Sequence, residues 1–366
     1  MADKVTGIFK SSNKGGGVLR DVSFSFRRQP NEVAVPASLV RKYRIVEGAT
    51  VTGFVKKGNP GPVLSFVEAI CGYEPDAFKD RTQFKGLIAL DPCDRFDLAS
   101  SGDISMRVID LVAPIGKGTR GLIVAPPKGG KTMLLEKLAN AIHLSDPETR
   151  IIALLIDERP EEVTYFRRAV KAEVLHSSSD QSVQEHMELA EMTLGHIRTD
   201  LECGFDVVVL VDSLTRMGRA FNQQGRGSGR TLTGGLGADA LEFPRRFFGM
   251  ARNIEGGGSV TIIATALVDT GSRMDQVIFQ EFKGTGNSEI ILERSLAEAY
   301  IFPAININGS GTRKEDQLFD AEEHKRIIML RRALADLKPK ESMEALLRLM
   351  EKYPTNRDLL AGIQDM

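Results

Sequence analysis

The stretch Gly121–Thr132 reads GLIVAPPKGGKT, and the helical run Met133–Ile142 follows it. An apolar strand enters a loop and Gly130-Lys131-Thr132 open a helix. This is the spacing of a P-loop, with Ala125 in the place of its first glycine. Backbone N–H groups of Lys128, Gly129 and Gly130 can wrap phosphate oxygens, and the helix start adds a partial positive charge. Lys131 reaches for the terminal phosphates, Thr132 offers a hydroxyl to Mg²⁺, and Met133 completes the ATP-binding set. The expected ligands are ATP and Mg²⁺.

Two further apolar runs end in acids. Asp206–Val211 leads into Asp212, the Walker B position, where a carboxylate at a strand's end holds Mg²⁺. Ile151–Ile156 leads into Asp157-Glu158-Arg159, beside the P-loop strand's end, where ligands collect in open α/β sheets. Glu158 is expected to polarise the attacking water. The alternative is an acidic cap, Asp157 through Glu162, that favours the dipole of the next helix.

Outward from these segments the chain divides in two. From about residue 106 to 366, the buried-strand candidates Gly121–Ala125, Ile151–Ile156, Asp206–Val211 and Ser259–Ala266 alternate with amphipathic helices, as in a mainly parallel α/β sheet. Residues 1–72 show short alternating strands at Thr6–Lys10, Val18–Phe26, Glu32–Val35, Val51–Lys56 and Leu64–Glu68, with a helical turn at Ala37–Tyr43. Five strands in that length suit an OB-fold (cold-shock-like) β-barrel. Residues 73–105 read as a connector.

The chain of 366 residues has a net charge of −1, but residues 1–72 hold 11 Lys+Arg against 5 Asp+Glu, and the remainder is correspondingly acidic. A basic module on an acidic body points to a polyanionic partner. No run of about 18 apolar residues predicts a membrane span, and no apolar signal core opens the chain. Cys71, Cys93 and Cys203 lack metal-ligand or disulfide spacing, so a cytoplasmic location is expected. In the barrel, Phe24, Phe26 and Arg28 alternate on one strand face and offer stacking for single-stranded bases; the alternative is that both rings fill the barrel. The glycine- and hydroxyl-rich GRGSGRTLTGG, with Arg226 and Arg230, can hold a sugar-phosphate chain or form a plain surface turn.

Beyond the P-loop, LLIDERPEEVT, LTGG, RRFFGMARN, GGSVTIIATAL, DTGS, QEFKGTGN and SGTRKE follow in order. Together they make the chain resemble the bacterial Rho family of transcription termination factors, across roughly Gly17 to Arg332. The resemblance implies a RecA-like P-loop ATPase domain in a homohexamer ring, an RNA-dependent ATPase and 5′-to-3′ helicase on single-stranded RNA, with the RNA polymerase elongation complex as partner. It implies that Lys131 and Glu158 are catalytic, that Arg313 is an arginine finger for the neighbouring subunit, and that Arg159 senses phosphate. Phe302 would pack on adenine. Gly227–Gly235, with Arg230, Thr231 and Thr233, and Lys283–Asn287, with Lys283, Gly284 and Thr285, resemble two RNA-gripping pore loops. The segment Leu64–Glu68 lacks the tyrosine that completes the family's base pocket, and Tyr300 replaces an arginine. An RNA-binding ATPase with altered helicase coupling, or a rotary-type energy-coupling ATPase, is the competing reading.

Overall fold

The computed structural model describes residues 3–58, 61–225, 231–232, 235–237 and 239–363. Strands β1 (Lys4–Ser11), β2 (Gly17–Arg20) and β3 (Val33–Val35), helix α1 (Ala37–Tyr43), and strands β4 (Thr50–Lys56) and β5 (Val63–Ile70) come first. The five strands close a barrel in the order β1-β2-β3-β5-β4. Phe9, Leu19, Val51, Leu64, Val67 and Ile70 fill it. The expected strand Val18–Phe26 ends early, at Arg20. The Asp21 carboxylate accepts the Ser23 N–H and starts a 3-10 turn over Val22–Phe24, and Ser25 and Phe26 then take left-handed conformations with φ of 52° and 59°.

The expected connector is structured. It holds α2 (Pro75–Lys79) and β6 (Ala89–Leu90), and Phe96 and Leu98 enter the core of the second domain. Its last two residues already belong to α3 (Ile104–Val112), which leads to β7 (Arg120–Ala125), α4 (Lys131–Ser145), β8 (Arg150–Glu158), α5 (Pro160–Ala169), β9 (Glu173–Ser178) and α6 (Val183–Glu202). Next come β10 (Asp206–Asp212), α7 (Leu214–Gly225), the short pair β11 (Thr231–Leu232) and β12 (Leu236–Gly237), α8 (Glu242–Phe248), β13 (Arg252–Ile254) and β14 (Ser259–Leu267). The chain continues through α9 (Arg273–Phe282), β15 (Ser288–Ile291), α10 (Arg294–Glu298), β16 (Gly311–Thr312), α11 (Ala321–Ala335), α12 (Pro339–Lys352) and α13 (Asn356–Gly362).

Among the described residues the large sheet runs β16-β15-β7-β14-β10-β8-β9, and β13 joins β6 to β14. The strands from β15 to β9 are parallel; β16, β13 and β6 are antiparallel additions. Period-two alternation sorts the two apolar layers: Ile151, Ala153 and Leu155 of β8 face one, and Ile152, Leu154 and Ile156 face the other. All four buried-strand candidates lie side by side at the sheet's centre, so the C-terminal ends of β7, β8 and β10 share one edge. No helix among the described residues is long and apolar enough to cross a membrane.

The barrel packs on the second domain through α6 and β9. Gly48 lies so close to α6 that a Cβ there would sit 2.0 Å from the Gly195 carbonyl carbon, and its φ of +88° also suits glycine. His196 Nδ1 lies 2.8 Å from the Gly48 carbonyl, and Lys10 pairs with Glu188 at 2.9 Å. Ser25 Oγ accepts the His176 N–H at 3.0 Å and lies 2.9 Å from that ring's Nδ1. Burial, then the Arg167 and Arg27 charges, depress the His176 pKa to about 4. The folded chain therefore resists a proton that the unfolded chain accepts near pH 6.5. The resulting stability is full above that pH and is lost as pH falls toward 4. We expect the melting temperature to fall between pH 7 and pH 4.5, and to fall less steeply in His176→Gln. Thermal melts across that range check it.

Candidate functional site

The P-loop leaves β7 with Lys128 in a left-handed conformation (φ 63°), and Gly130 caps α4 at φ 85°. Those dihedrals turn successive N–H groups to one side of the loop and suit an anion. Lys131 Nζ lies 2.6 and 2.7 Å from the two Asp212 oxygens and 3.4 Å from Glu158 Oε1. Thr132 Oγ1 donates to Asp212 Oδ2 at 3.2 Å, and Thr265 Oγ1, from β14, donates to Asp212 Oδ1 at 2.9 Å. Four segments far apart in sequence thus meet around one lysine.

Glu158 is 2% exposed. A bulge in the β8–β9 pairing after Leu155, with Asp157 at φ 55°, directs it toward the P-loop rather than into a helix cap. Burial, then the Asp212 charge, raise its pKa, while Lys131 and Arg216 oppose the rise. Burial opposes the charge on Lys131, yet Asp212 and Glu158 overcome it and raise the lysine's pKa. The result is a carboxylate with raised proton affinity beside a lysine held cationic, the pairing needed to orient a water and neutralise phosphate.

Arg216 was not legible as a site residue. Its guanidinium lies 3.4 Å from Glu158 Oε2 and 3.2 Å from Asp157 Oδ2. An arginine one helical turn after the Asp212 strand end was the available signal. Thr265 escaped as well, being one of three hydroxyl residues in β14, with Ser259 and Thr261. Arg159, by contrast, points to solvent with its side chain 68% exposed, 4.0 Å from Glu162. Phe302, 47% exposed, shares a small cleft with Gly129, Gly130 and Met133, as an adenine-facing ring requires.

Arg313 stands at the far end of the sheet. Its N–H donates to the Asn287 carbonyl at 2.7 Å, and Asn287 in turn pairs with Arg120, where β7 begins. The six residues of β7 carry the chain roughly 17 Å from there to the P-loop. Lys283 and Gly284 line a cavity of about 950 Å³ together with Arg313. The Thr285 hydroxyl is spent on the Phe282 carbonyl at 2.8 Å.

Within one chain the described part of the first expected pore loop and the loop Lys283–Asn287 lie toward opposite ends of α9. The β11–β12 hairpin is held by Asn222, which donates to the Gly235 carbonyl at 3.2 Å and accepts the Gly237 N–H at 2.7 Å. The same Asn222 amide lies 3.3 Å from Met274 Sδ, so the neighbour of the hairpin is the start of α9, with Asp269–Arg273. Lys283 lies at the other end of α9, whose ten residues span roughly 15 Å. Within one chain the segment Asp269–Arg273, with Arg273 exposed, therefore adjoins the hairpin, and Lys283–Asn287 lies at the far end of α9. Arg226, Arg230 and Thr233 lie outside the described residues, as does the Thr231 side chain.

In the barrel, Phe24 is 47% exposed and Arg28 is exposed, but Phe26 is 2% exposed. It sits edge-on to His196, ring centroids 6.1 Å apart, within the apolar layer beneath the sheet. The 3-10 turn breaks the strand alternation, so Phe26 becomes interface core and is no stacking platform.

This arrangement, a P-loop, a Walker B carboxylate and a buried glutamate at one edge of a parallel sheet, defines a nucleotide-binding P-loop ATPase. Residues 105–312 match the ATP synthase alpha/beta family, nucleotide-binding domain. A prototypical ATPase from the type III secretion system of pathogenic bacteria superposes with a TM-score of 0.65 at 20% identity, over 85% of this chain and 93% of that one. Transcription termination factor Rho of Aquifex aeolicus is 48% identical over 98% of this chain and 84% of its own length. Rho of Pseudomonas aeruginosa is 44% identical over 98% of this chain and 87% of its own length. The chain belongs to the transcription termination factor Rho family.

Arg216→Ala is expected to remove the guanidinium from Asp157 and leave Glu158 with Lys131 as its remaining cation, lowering both the melting temperature and ATP turnover. Arg159→Ala should leave the melting temperature unchanged. Parallel melts and steady-state ATPase assays check the contrast.

Proposed function

We propose that this chain is an RNA-driven ATPase that binds nascent single-stranded RNA, translocates 5′-to-3′ as a homohexamer ring, and releases the transcript from the RNA polymerase elongation complex. The observation that carries the reading is the position of Arg313 at the opposite end of β7 from its own P-loop. Stabilisation of a transferring γ-phosphoryl by an arginine is worth roughly 10³–10⁵ in rate. An arginine so placed serves a neighbour's site. A head-to-tail contact of that kind repeats into a ring or a filament, and membership of the family favours the ring.

In this reading Lys128, Gly129, Gly130 and Lys131 hold the phosphates, and Met133 and Phe302 hold the base. Thr132 and Asp212 offer converging hard oxygens that fit a divalent cation, with Thr265 fixing the carboxylate. Mg²⁺, when bound there, supplies charge to offset the β- and γ-phosphate oxygens. Lys131 turns from the two acids to the terminal phosphate. Glu158 orients the attacking water and takes its proton, and Arg216 keeps Glu158 in place. Arg159, free beside Glu158, senses phosphate, and the neighbouring subunit's copy of Arg313 meets the γ-phosphate. Glu158→Gln is expected to bind ATP normally but to lose about 10²–10⁴-fold in turnover, checked by nucleotide titration and steady-state kinetics.

Translocation needs the RNA grip and the finger to communicate. The β11–β12 hairpin and Arg273 are the proposed grip, while Lys283 and Gly284 line the finger's cavity. Helix α9 joins the two, so a push on Arg273 is carried along a rigid element toward Asn287 and Arg313. Arg273→Ala should abolish most RNA stimulation of ATPase activity while leaving the RNA-free rate intact; Lys283→Ala should instead lower both. The shared site is tested by mixing Arg313→Ala chains with Lys131→Ala chains. Partial recovery of activity in demonstrated mixed rings is expected, and mixed rings as inactive as either parent would refute sharing.

A further inference from the structure

With Phe26 buried, Phe24 is left as a single exposed ring on its 3-10 turn, and the barrel's facing pair of aromatic rings lies elsewhere. On the β2–β3 pair, where OB-folds commonly stack bases, Val18 stands opposite Ala34 on the outer face, while Leu19 and Val35 are buried inward. Across the barrel, Phe54 of β4 and Phe66 of β5 stand directly opposite each other, ring centroids 6.3 Å apart and tilted by 38°. Phe66 is 55% exposed, more than any other phenylalanine on the surface. Apolar rings of that size do not stay in water without a use as readily as one isolated aliphatic.

Their surroundings are polar and cationic. Lys56 follows Phe54 at the same-face spacing of two, and Lys57 is next to it, both exposed and without an ion pair among the described residues. Lys4 is the cross-strand partner of Phe54 on its other side and is neutralised by Glu68 at 2.6 Å. The Thr6 and Thr52 hydroxyls, 3.0 Å apart, continue the same outer row. These strands flank the connection between β4 and β5, one of the two loops with which OB-folds contact oligonucleotides. A hydrophobic protein partner would meet two uncompensated lysines there, whereas a polyanion with flat apolar groups is matched by both features.

We propose that Phe54 and Phe66 form a base-stacking site for single-stranded RNA, with Lys56 and Lys57 neutralising the adjacent phosphates. The proposal rests on the reading of the chain as an RNA-binding ATPase and assigns base contact to a hairpin where neither the P-loop domain nor the β2–β3 face supplies it. Stacking on a ring tolerates any base, so the site predicts weak sequence preference and a marked dependence on salt.

The chain contains no tryptophan. Full-length Phe66→Trp therefore carries a single indole at the site, and its fluorescence reports stacking directly. Titration with unlabelled oligouridine should quench that emission at the concentrations where fluorescence anisotropy shows a dye-labelled copy of the same RNA to bind. Phe54→Ala with Phe66→Ala should weaken binding of a short oligouridine by roughly 5- to 100-fold with an unchanged melting temperature. Lys56→Ala with Lys57→Ala should lessen the slope of affinity against salt by about 1–2. Labelled RNA that binds the parent chain while the indole stays unquenched overturns this site and leaves RNA binding standing. No RNA binding by the parent chain overturns both.

Discussion

The buried ion cluster of Lys131 with Asp212 and Glu158 is the constraint on which the rest of the molecule depends. Its members leave three different strands, so it exists only if β7, β10 and β8 end at one sheet edge in register. A lone carboxylate or ammonium there would be costly in a low-dielectric setting; each is tolerable because the others and Arg216 surround it. The apolar runs of the central strands serve this end. With both faces of the sheet covered by helices, the edge has little freedom to shift, and Thr265 on β14 can hold Asp212 at hydrogen-bond distance.

The same parallel sheet separates two charges that the proposed mechanism brings together. Lys131 belongs to the C-terminal edge and Arg313 to the N-terminal one, with β7 as the spacer. In the proposed mechanism, catalysis across a subunit boundary follows from this topology as much as from residue choice. Helix α9 runs between the Arg273 end, beside the glycine-rich hairpin, and the Lys283 end, beside Arg313. In the proposed mechanism this rigid element is a direct physical route for coupling between the hairpin and Arg313.

What could be read from residues alone was whatever lies within one contiguous segment. The P-loop, the four central strands and the acids at their ends each carry their signal in a dozen residues or fewer. The alternation Ser23-Phe24-Ser25-Phe26 misled because Asp21 caps a turn, and left-handed residues then rotate the second ring inward. Strand β9 was missed because His176 and Ser177 interrupt its apolar pattern; His176 meets Ser25 of the barrel, and the Ser177 hydroxyl accepts the Asp157 N–H at 3.3 Å. Arg216 was invisible for a related reason: its role lies in what it touches, Asp157 and Glu158, more than 50 residues away. The likeness of QEFKGTGN to a known string points to the family, while the place of that loop relative to the hairpin depends on α9, which no short string carries.

The account's central claim is that RNA controls ATP hydrolysis in this chain. The most direct measurement is the steady-state ATPase rate of the full chain at saturating ATP and Mg²⁺, with and without unstructured single-stranded RNA. The account predicts a low rate alone and a steep rise once RNA is long enough to reach both the barrel and the β11–β12 hairpin. An equal rate with and without RNA, in protein that demonstrably binds it, would contradict the account.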